Sequence, residues 1–411
     1  MTAMSFTDLL AVLAVAVAAP LVAAVLPGVR LPGVVLELVA GIVVGPAVLG
    51  WVQPDELVRA VATIGLAFLL FLAGLEIDVA QLPRPLLRTA GLGFGLTLGL
   101  GLAVGAGLLA LGWADDPVFV AVVLSATSLG LVVPVLKDAG QTDSPLGQLV
   151  IAAATVADLS GVVLLSVLFS EAEGGAASRA VTIGIFVVVV AAVALALADA
   201  GRSTRIDGLL VRLQDTTAEI RVRLAATVLI GFAALAMVVG LETILGAFVA
   251  GVVLRATDRQ ASTHPAFRLK LDAVGYGFVI PVFFVFSGLT FDLASLSGAP
   301  GALARVPVLL AGLLVARGVP ALAYRRTIGL RASLAAALLQ ATSLPFLVTA
   351  AAVGSAIGAV DSVTAAALVA AGLGSVVLFP LCAVAVLGRG VEPVQAVAVE
   401  SSSRSSTAGH E

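Results

Sequence analysis

QLVIAAATVADLSGVVLLSVLF, residues 148–169, decides the fold. The run is almost wholly apolar and long enough to cross a bilayer. A helix rising about 1.5 Å per residue needs roughly 20 residues to span a hydrocarbon core of about 30 Å. One acid, Asp158, sits about eleven residues from either end, which puts it roughly 16 Å deep, near the bilayer centre. An ionised side chain there costs at least about 2.5–3.5 kcal/mol, so such residues mark ion and proton pathways. No other acid of the chain lies so deep within an apolar run.

The rest of the chain has the same character. Its 411 residues are 60% hydrophobic and 11% charged, with a mean hydropathy of +1.17. A soluble domain is about 45–50% apolar and about 25% charged, so lipid must solvate much of this surface. Thirteen apolar segments predict an all-α integral membrane protein: 6–27, 31–52, 57–77, 85–113, 117–137, 146–169, 176–199, 220–240, 241–256, 271–290, 302–324, 331–356 and 362–388. They make up a membrane domain over 1–389. Residues 390–411 form a short polar tail, expected to be disordered. The first apolar run has neither a basic flank nor a small-residue cleavage site, so it reads as a retained span. Cys382 stands alone, which excludes a disulfide framework and a cysteine metal cluster. His264 and His410 lie in a loop and the tail, leaving nothing for a His-based metal site or a Ser-His-Asp triad. No Gly-rich phosphate loop precedes a Lys-Ser or Lys-Thr pair. We therefore expect no enzyme, no cofactor and no nucleic-acid partner.

Charge orients the chain. Arg59, Arg179 and Arg305 fall on the side of the N-terminus, eighteen Lys and Arg fall on the other, and Arg317 lies inside a span. The positive-inside rule then puts the N-terminus outside and the C-terminus in the cytoplasm of a multi-pass cell-membrane protein.

The sequence also repeats itself. GLEIDVAQL at 74–82 recurs as GLTFDLASL at 288–296, and ATSL at 126–129 recurs at 341–344. AGIVV at 40–44 recurs more weakly as AGVVL at 250–254. The offset spans seven predicted helices. Seven is odd, so the copies insert with opposite topology: repeat one over about 6–169, a linker helix over about 176–199, repeat two over about 220–388. Such inverted repeats typify alternating-access transporters, with the ion site at their interface near the midplane.

Both ATSL copies fall in mid-span. Thr127, Ser128, Gly130 and Pro134 in the fifth span, and Thr342, Ser343 and Pro345 in the twelfth, are poor material for a continuous helix. Hydroxyls can satisfy backbone groups freed by a break. Paired interrupted helices point to an ion site, with Asp158, Thr127, Ser128, Thr155 and backbone carbonyls forming an oxygen shell for a hard cation. Asp158 is thus the one candidate metal ligand with a charge. Arg317 is the only base at comparable depth, and it must meet an anion, a water-filled cavity or carbonyl dipoles. Asp158 and the carbonyl ends of the broken half-helices are both open to it. Glu37, Glu76, Asp78, Glu242, Asp272 and Asp292 lie at or near span ends and read as structural or gating groups.

LPGVVLELVAGIVVGPAVLG (31–50), GLAFLLFLAGLEID (65–78), LSATSLGLVVPVLKDAG (124–140), ETILGAFVAGVVL (242–254) and GFVIPVFFVFSGLTFDL (277–293) together resemble the membrane domain of the monovalent cation:proton antiporter-2 family. The resemblance covers nearly the whole membrane portion. It implies a homodimer built on a panel domain and a core domain that moves like an elevator. It also implies crossed, unwound fifth and twelfth spans, and an ion-binding carboxylate at Asp158. Two departures stand out. Superfamily members usually carry Asp-Asp, Asn-Asp or Gln-Asp where this chain has Ala157-Asp158, and often Lys where it has Arg317. Potassium-efflux members add a cytosolic nucleotide-binding domain, and too few residues follow 388 for one here.

The expected function is exchange of Na+ or K+ for H+, electroneutral because one carboxylate titrates. Sodium-coupled symport of a small organic anion held by Arg317, and a non-transporting sensor or subunit, are the alternatives. The orientation predicts that a cysteine placed at Ser203, in Cys382→Ala protein, is not labelled by a membrane-impermeant maleimide added outside sealed cells. Labelling from outside would reverse the topology.

Overall fold

Proline and glycine decide where these helices stop and bend. The computed structural model describes residues 5–25, 32–76, 84–169, 176–200, 219–257, 265–298 and 301–388. Asp78, residues 201–218 of the basic loop, His264 and the 390–411 tail lie outside them. The first half comprises α1 (Phe6–Val25), α2 (Gly33–Val44), α3 (Glu56–Glu76), α4 (Arg84–Ala110), α5 (Pro117–Leu124), α6 (Leu129–Asp138), α7 (Pro145–Phe169) and α8 (Ala176–Ala200). The second comprises α9 (Ile220–Val238), α10 (Thr243–Thr257), α11 (Pro265–Val274), α12 (Ile280–Leu289), α13 (Leu293–Gly298), α14 (Ala302–Leu313), α15 (Arg325–Gln340), α16 (Pro345–Ala356) and α17 (Ser362–Leu387). Among the described residues there is no strand, only an isolated bridge between Ala114 and Val360. Among the described residues eight helical segments, three of them running through a break or π turn, are long and apolar enough to cross a membrane, and five further apolar helices are shorter.

Several boundaries differ from the sequence reading, each for a local reason. The segment expected over 31–52 is helical only to Val44. Gly45 turns extended (φ −75°, ψ 179°) ahead of Pro46, whose ring disfavours a helical residue before it. The segment expected over 271–290 starts earlier, with α11, and joins α12 through a π turn, Gly275–Val279. A second π turn, Leu314–Gly318, follows α14. Each π turn ends two residues before a proline, Pro281 or Pro320. Proline cannot donate to the carbonyl one turn back, and in the first turn Ile280 N–H bonds Gly275 O instead, five residues away. Beyond the second π turn the chain runs helically into α15. Gly329, at φ 80° and ψ 164°, breaks the path there in a conformation that strains any residue with a Cβ.

The helices associate in two groups. In one, α2 packs along α12, α3 along α10 and α12, α9 along α10, and α1 along α2. In the other, α4 packs on α5 and α7, α15 on α7 and α17, and α14 and α16 on α17. An ion pair strengthens the second group, where Arg305 on α14 binds both oxygens of Asp361 at 2.6 and 2.8 Å. Glycine sets the closest approaches in the first group. A Cβ on Gly41 would lie 2.2 Å from Val285 O, and one on Gly288 would lie 2.2 Å from Leu38 O. Likewise a Cβ on Gly74 would lie 2.2 Å from Phe248 O, and one on Gly251 would lie 2.1 Å from Phe71 O. Small residues of this kind let membrane helices approach backbone to backbone, where dispersion holds them.

A single added methyl should therefore be costly at these contacts. Gly251→Ala is expected to destabilise the purified protein by about 1–3 kcal/mol, the usual cost of overpacking. Gly99→Ala, where an added Cβ meets nothing within 4 Å, should be neutral or slightly stabilising. Thermal unfolding in detergent reads both, and equal behaviour would refute the packing argument.

Candidate ion site

Two helical paths are interrupted at matching places. Between α5 and α6 lie residues 125–128, and between α15 and α16 lie residues 341–344. The two breaks bond each other. Ser128 N–H donates to Thr342 O at 2.9 Å, Leu344 N–H donates to Ser128 Oγ at 3.3 Å, and Thr127 Oγ1 donates to Gln340 O at 2.6 Å. Thr342 and Ser343 are fully buried. Pro345 opens α16, where its missing N–H costs nothing. Pro134 lies inside α6 and so leaves the α ladder of that short helix incomplete.

Asp158 on α7 meets the start of α6. Its Oδ2 accepts from Leu129 N–H at 3.2 Å. The amide end of a helix carries partial positive charge, so a carboxylate is favoured there. Arg317 sits in the second π turn, 2% exposed, at the opposite kind of end. Its Nε donates to Thr127 Oγ1 at 2.8 Å and to Gln340 O at 3.4 Å, and its Nη2 donates to Ala153 O at 3.3 Å. Of the two partners the sequence left open to Arg317, one of its hydrogen bonds goes to the carbonyl end of a broken helix, at Gln340 O.

A cavity of about 90 Å³ opens beside the first break. Asp158, Thr127, Ser128, Gly130 and Pro345 line it, whereas Thr155, Pro134, Thr342 and Ser343 do not. Thr155 is buried one turn before Asp158. Gly130 leaves room opposite Tyr276, whose hydroxyl would lie 3.9 Å from an added Cβ. One wall residue is an acid that the sequence placed at a span end as a structural or gating group. Glu76 lines the cavity with Asp158. Its Oε1 accepts from Arg268 Nη2 at 2.9 Å, Arg268 Nε donates to Asp272 at 3.0 Å, and Glu76 Oε2 is buried without a hydrogen-bond partner. A signal for it was present: Leu69, Ala73 and Glu76 fall on one stripe of α3, and all three face the cavity. A larger cavity of about 500 Å³ lies among α3, α10, α12, α16 and α17, with Glu242 and Asp292 in its wall.

The profile of the sodium/hydrogen exchanger transmembrane family matches residues 10–387. The chain belongs to that family, one of transporters and not enzymes. It is similar to an Na+/H+ antiporter of Enterococcus hirae, 29% identical over 64% of this chain. It is also similar to the Na+/H+-K+ antiporter GerN of Bacillus cereus, 30% identical over 62% of this chain. The chain spans 67% of the Enterococcus protein, 65% of GerN and 58% of a relative from Bacillus subtilis. In fold it is similar to the sodium proton antiporter MjNhaP1 of Methanocaldococcus jannaschii. The TM-score is 0.59 at 18% identity, over 92% of this chain and 95% of that one.

Arg317 should matter first for stability. Arg317→Leu leaves Thr127 and two buried carbonyls short of a donor, at a cost expected to reach about 3 kcal/mol or more, since hydrogen bonds to charged groups are worth about 1.5–3 kcal/mol each. Thermal unfolding of the variant in detergent measures this, and wild-type stability would show that these bonds carry no weight.

Proposed function

We propose that the protein exchanges a monovalent cation, Na+ or K+, for H+ across the cell membrane. The observation that carries this reading is Asp158 at the amide end of α6. Its Oδ2 accepts the 3.2 Å bond from Leu129 N–H, and the residue opens onto a cavity large enough for a small ion and a little water. A cation or a proton would compete for that carboxylate. Ser128 Oγ accepts only one bond from Leu344 N–H and keeps a lone pair for an ion. Thr127 Oγ1 already serves Arg317 and Gln340, which leaves it a positioning role. We assign Thr155 a supporting place one turn from Asp158. Names of relatives support both ions, GerN being named for Na+ and K+. Symport of an organic anion would need Arg317 free for substrate, and its bonds to Thr127, Gln340 and Ala153 speak against that.

The mechanism we infer is movement of the α4–α7 and α14–α17 group as a core against a panel of α1–α3 and α9–α12. Both cavities lie between members of the two groups, which supports such a seam. Thirteen crossings, with the N-terminus outside, and a homodimer formed through the panel complete the proposal. The glycine contacts support the inverted repeat. The sequence matches Gly74 to Gly288 and Gly41 to Gly251, and the contacting pairs are Gly41 with Gly288 and Gly251 with Gly74, so exchanging the copies maps one contact onto the other. Exchange would be one for one. Ala157 cannot titrate, arginine stays protonated through any transport cycle, and Glu76 is tied to Arg268.

Reconstituted protein in a pH gradient tests the reading. Asp158→Asn keeps the volume but not the charge, and is expected to abolish Na+- or K+-driven proton flux while leaving the protein folded. Flux at the wild-type rate in that variant would sink the assignment. Wild-type exchange should reach the same ion gradient whatever membrane potential is imposed, by valinomycin and K+ if only Na+ is carried. A gradient that shifts with voltage would require a second titrating group.

A further inference from the structure

The two breaks lean on different chemistry. At the start of α6 the acceptor is the Asp158 carboxylate, which receives Leu129 N–H. At the second break the acceptor is a neutral hydroxyl. Ser375 on α17 is fully buried, and its Oγ receives Ser343 N–H at 3.1 Å. The same oxygen lies 2.9 Å from Ser343 O and 2.8 Å from Gly372 O, so its one proton has two carbonyls to choose between. Gly372, one turn earlier on α17, brings the helix close: a Cβ there would lie 3.2 Å from Ser343 O.

We propose that Ser375 is a positioning residue for the ion site, holding the second break so that it can hold the first. This rests on the exchange function proposed above. The connection is a short series of bonds. Ser375 fixes both backbone groups of Ser343. The next residue, Leu344, donates to Ser128 Oγ, and the preceding one, Thr342, accepts from Ser128 N–H. Ser128 adjoins Leu129, whose N–H meets Asp158. Asp158 shares its carboxylate between Leu129 N–H and the ion, so its own hold on α6 varies through the cycle. A serine hydroxyl does not titrate in any working range, so the second break keeps the same partner throughout. The second break is then the fixed abutment, and the first is the part that responds to the ion.

Removing that hydroxyl orphans two buried backbone groups and lets the break sample other conformations. The apparent affinity of a site falls by the fraction of molecules still in the competent state. Ser375→Ala is therefore expected to raise the apparent KM for the cation about tenfold, within the reach of one buried hydrogen bond, with maximal velocity kept within about twofold. Ser375→Cys, which retains a weak donor and acceptor, should fall between the two. Hydrogen exchange of the peptide covering 125–131 gives a readout that needs no transport, and it should quicken in Ser375→Ala although the substitution lies on another helix. Wild-type KM and wild-type exchange at 125–131 in the folded variant would overturn the proposal. So would a fall in thermal stability and velocity with KM unchanged. Should Ser375→Ala not fold, Ser375→Cys decides by the same two readings. Absence of flux in wild-type liposomes would count against the exchange function alone, and hydrogen exchange would still judge Ser375.

Discussion

Backbone groups buried in a membrane have no water to bond, and each one left unpaired costs several kcal/mol. An interrupted helix is therefore untenable by itself at such depth. This protein brings two interruptions together, so that Ser128 bonds Thr342 and Leu344 while Thr127 bonds Gln340. The charges follow from the same constraint. Broken helices expose amide and carbonyl ends, and these ends attract opposite ions. Asp158 answers an amide end and Arg317 a carbonyl end. The carboxylate that reads as the ion ligand is thus also part of what makes the break affordable. On the proposed function, binding and architecture would meet in one group, and its charge state would be felt by the backbone around it.

Close packing is distributed unevenly. Within the α2, α3, α10 and α12 group, glycines bring backbones into direct contact, and no rotamer change can relieve a misfit there. Between the two groups, contact is looser, and the two cavities interrupt it. Tightness within groups and voids between them is the contrast that relative motion of two bodies would need.

Much of this was legible in the sequence because hydropathy is a local property. The depth of Asp158 follows from counting apolar residues on either side. The matched ATSL segments located both interruptions, since hydroxyl, glycine and proline act on the backbone where they stand. What could not be read was reach across the fold. Glu76 looked like a span-end carboxylate, and its stripe on α3 marks an inward face without saying that this face meets the wall around Asp158. The partners of Arg317 are 23 to 190 residues away, and sequence distance says nothing about which carbonyl a guanidinium meets. Thr155 was named with Asp158 in an oxygen shell, and one turn of helix is enough to keep it out of the cavity wall.

The turn that carries Arg317 has a bearing on how related chains are compared. A π turn holds one residue more than the α turn it replaces. Each residue turns a helix by about 100°. A relative lacking the extra residue between Leu313 and Pro320 would present a neighbouring side chain to Thr127 and Gln340, even with an otherwise matching sequence. Equivalence in this stretch is a matter of which side chain reaches the carbonyl end of α15, and an alignment that counts residues in from Pro320 would pair the wrong ones.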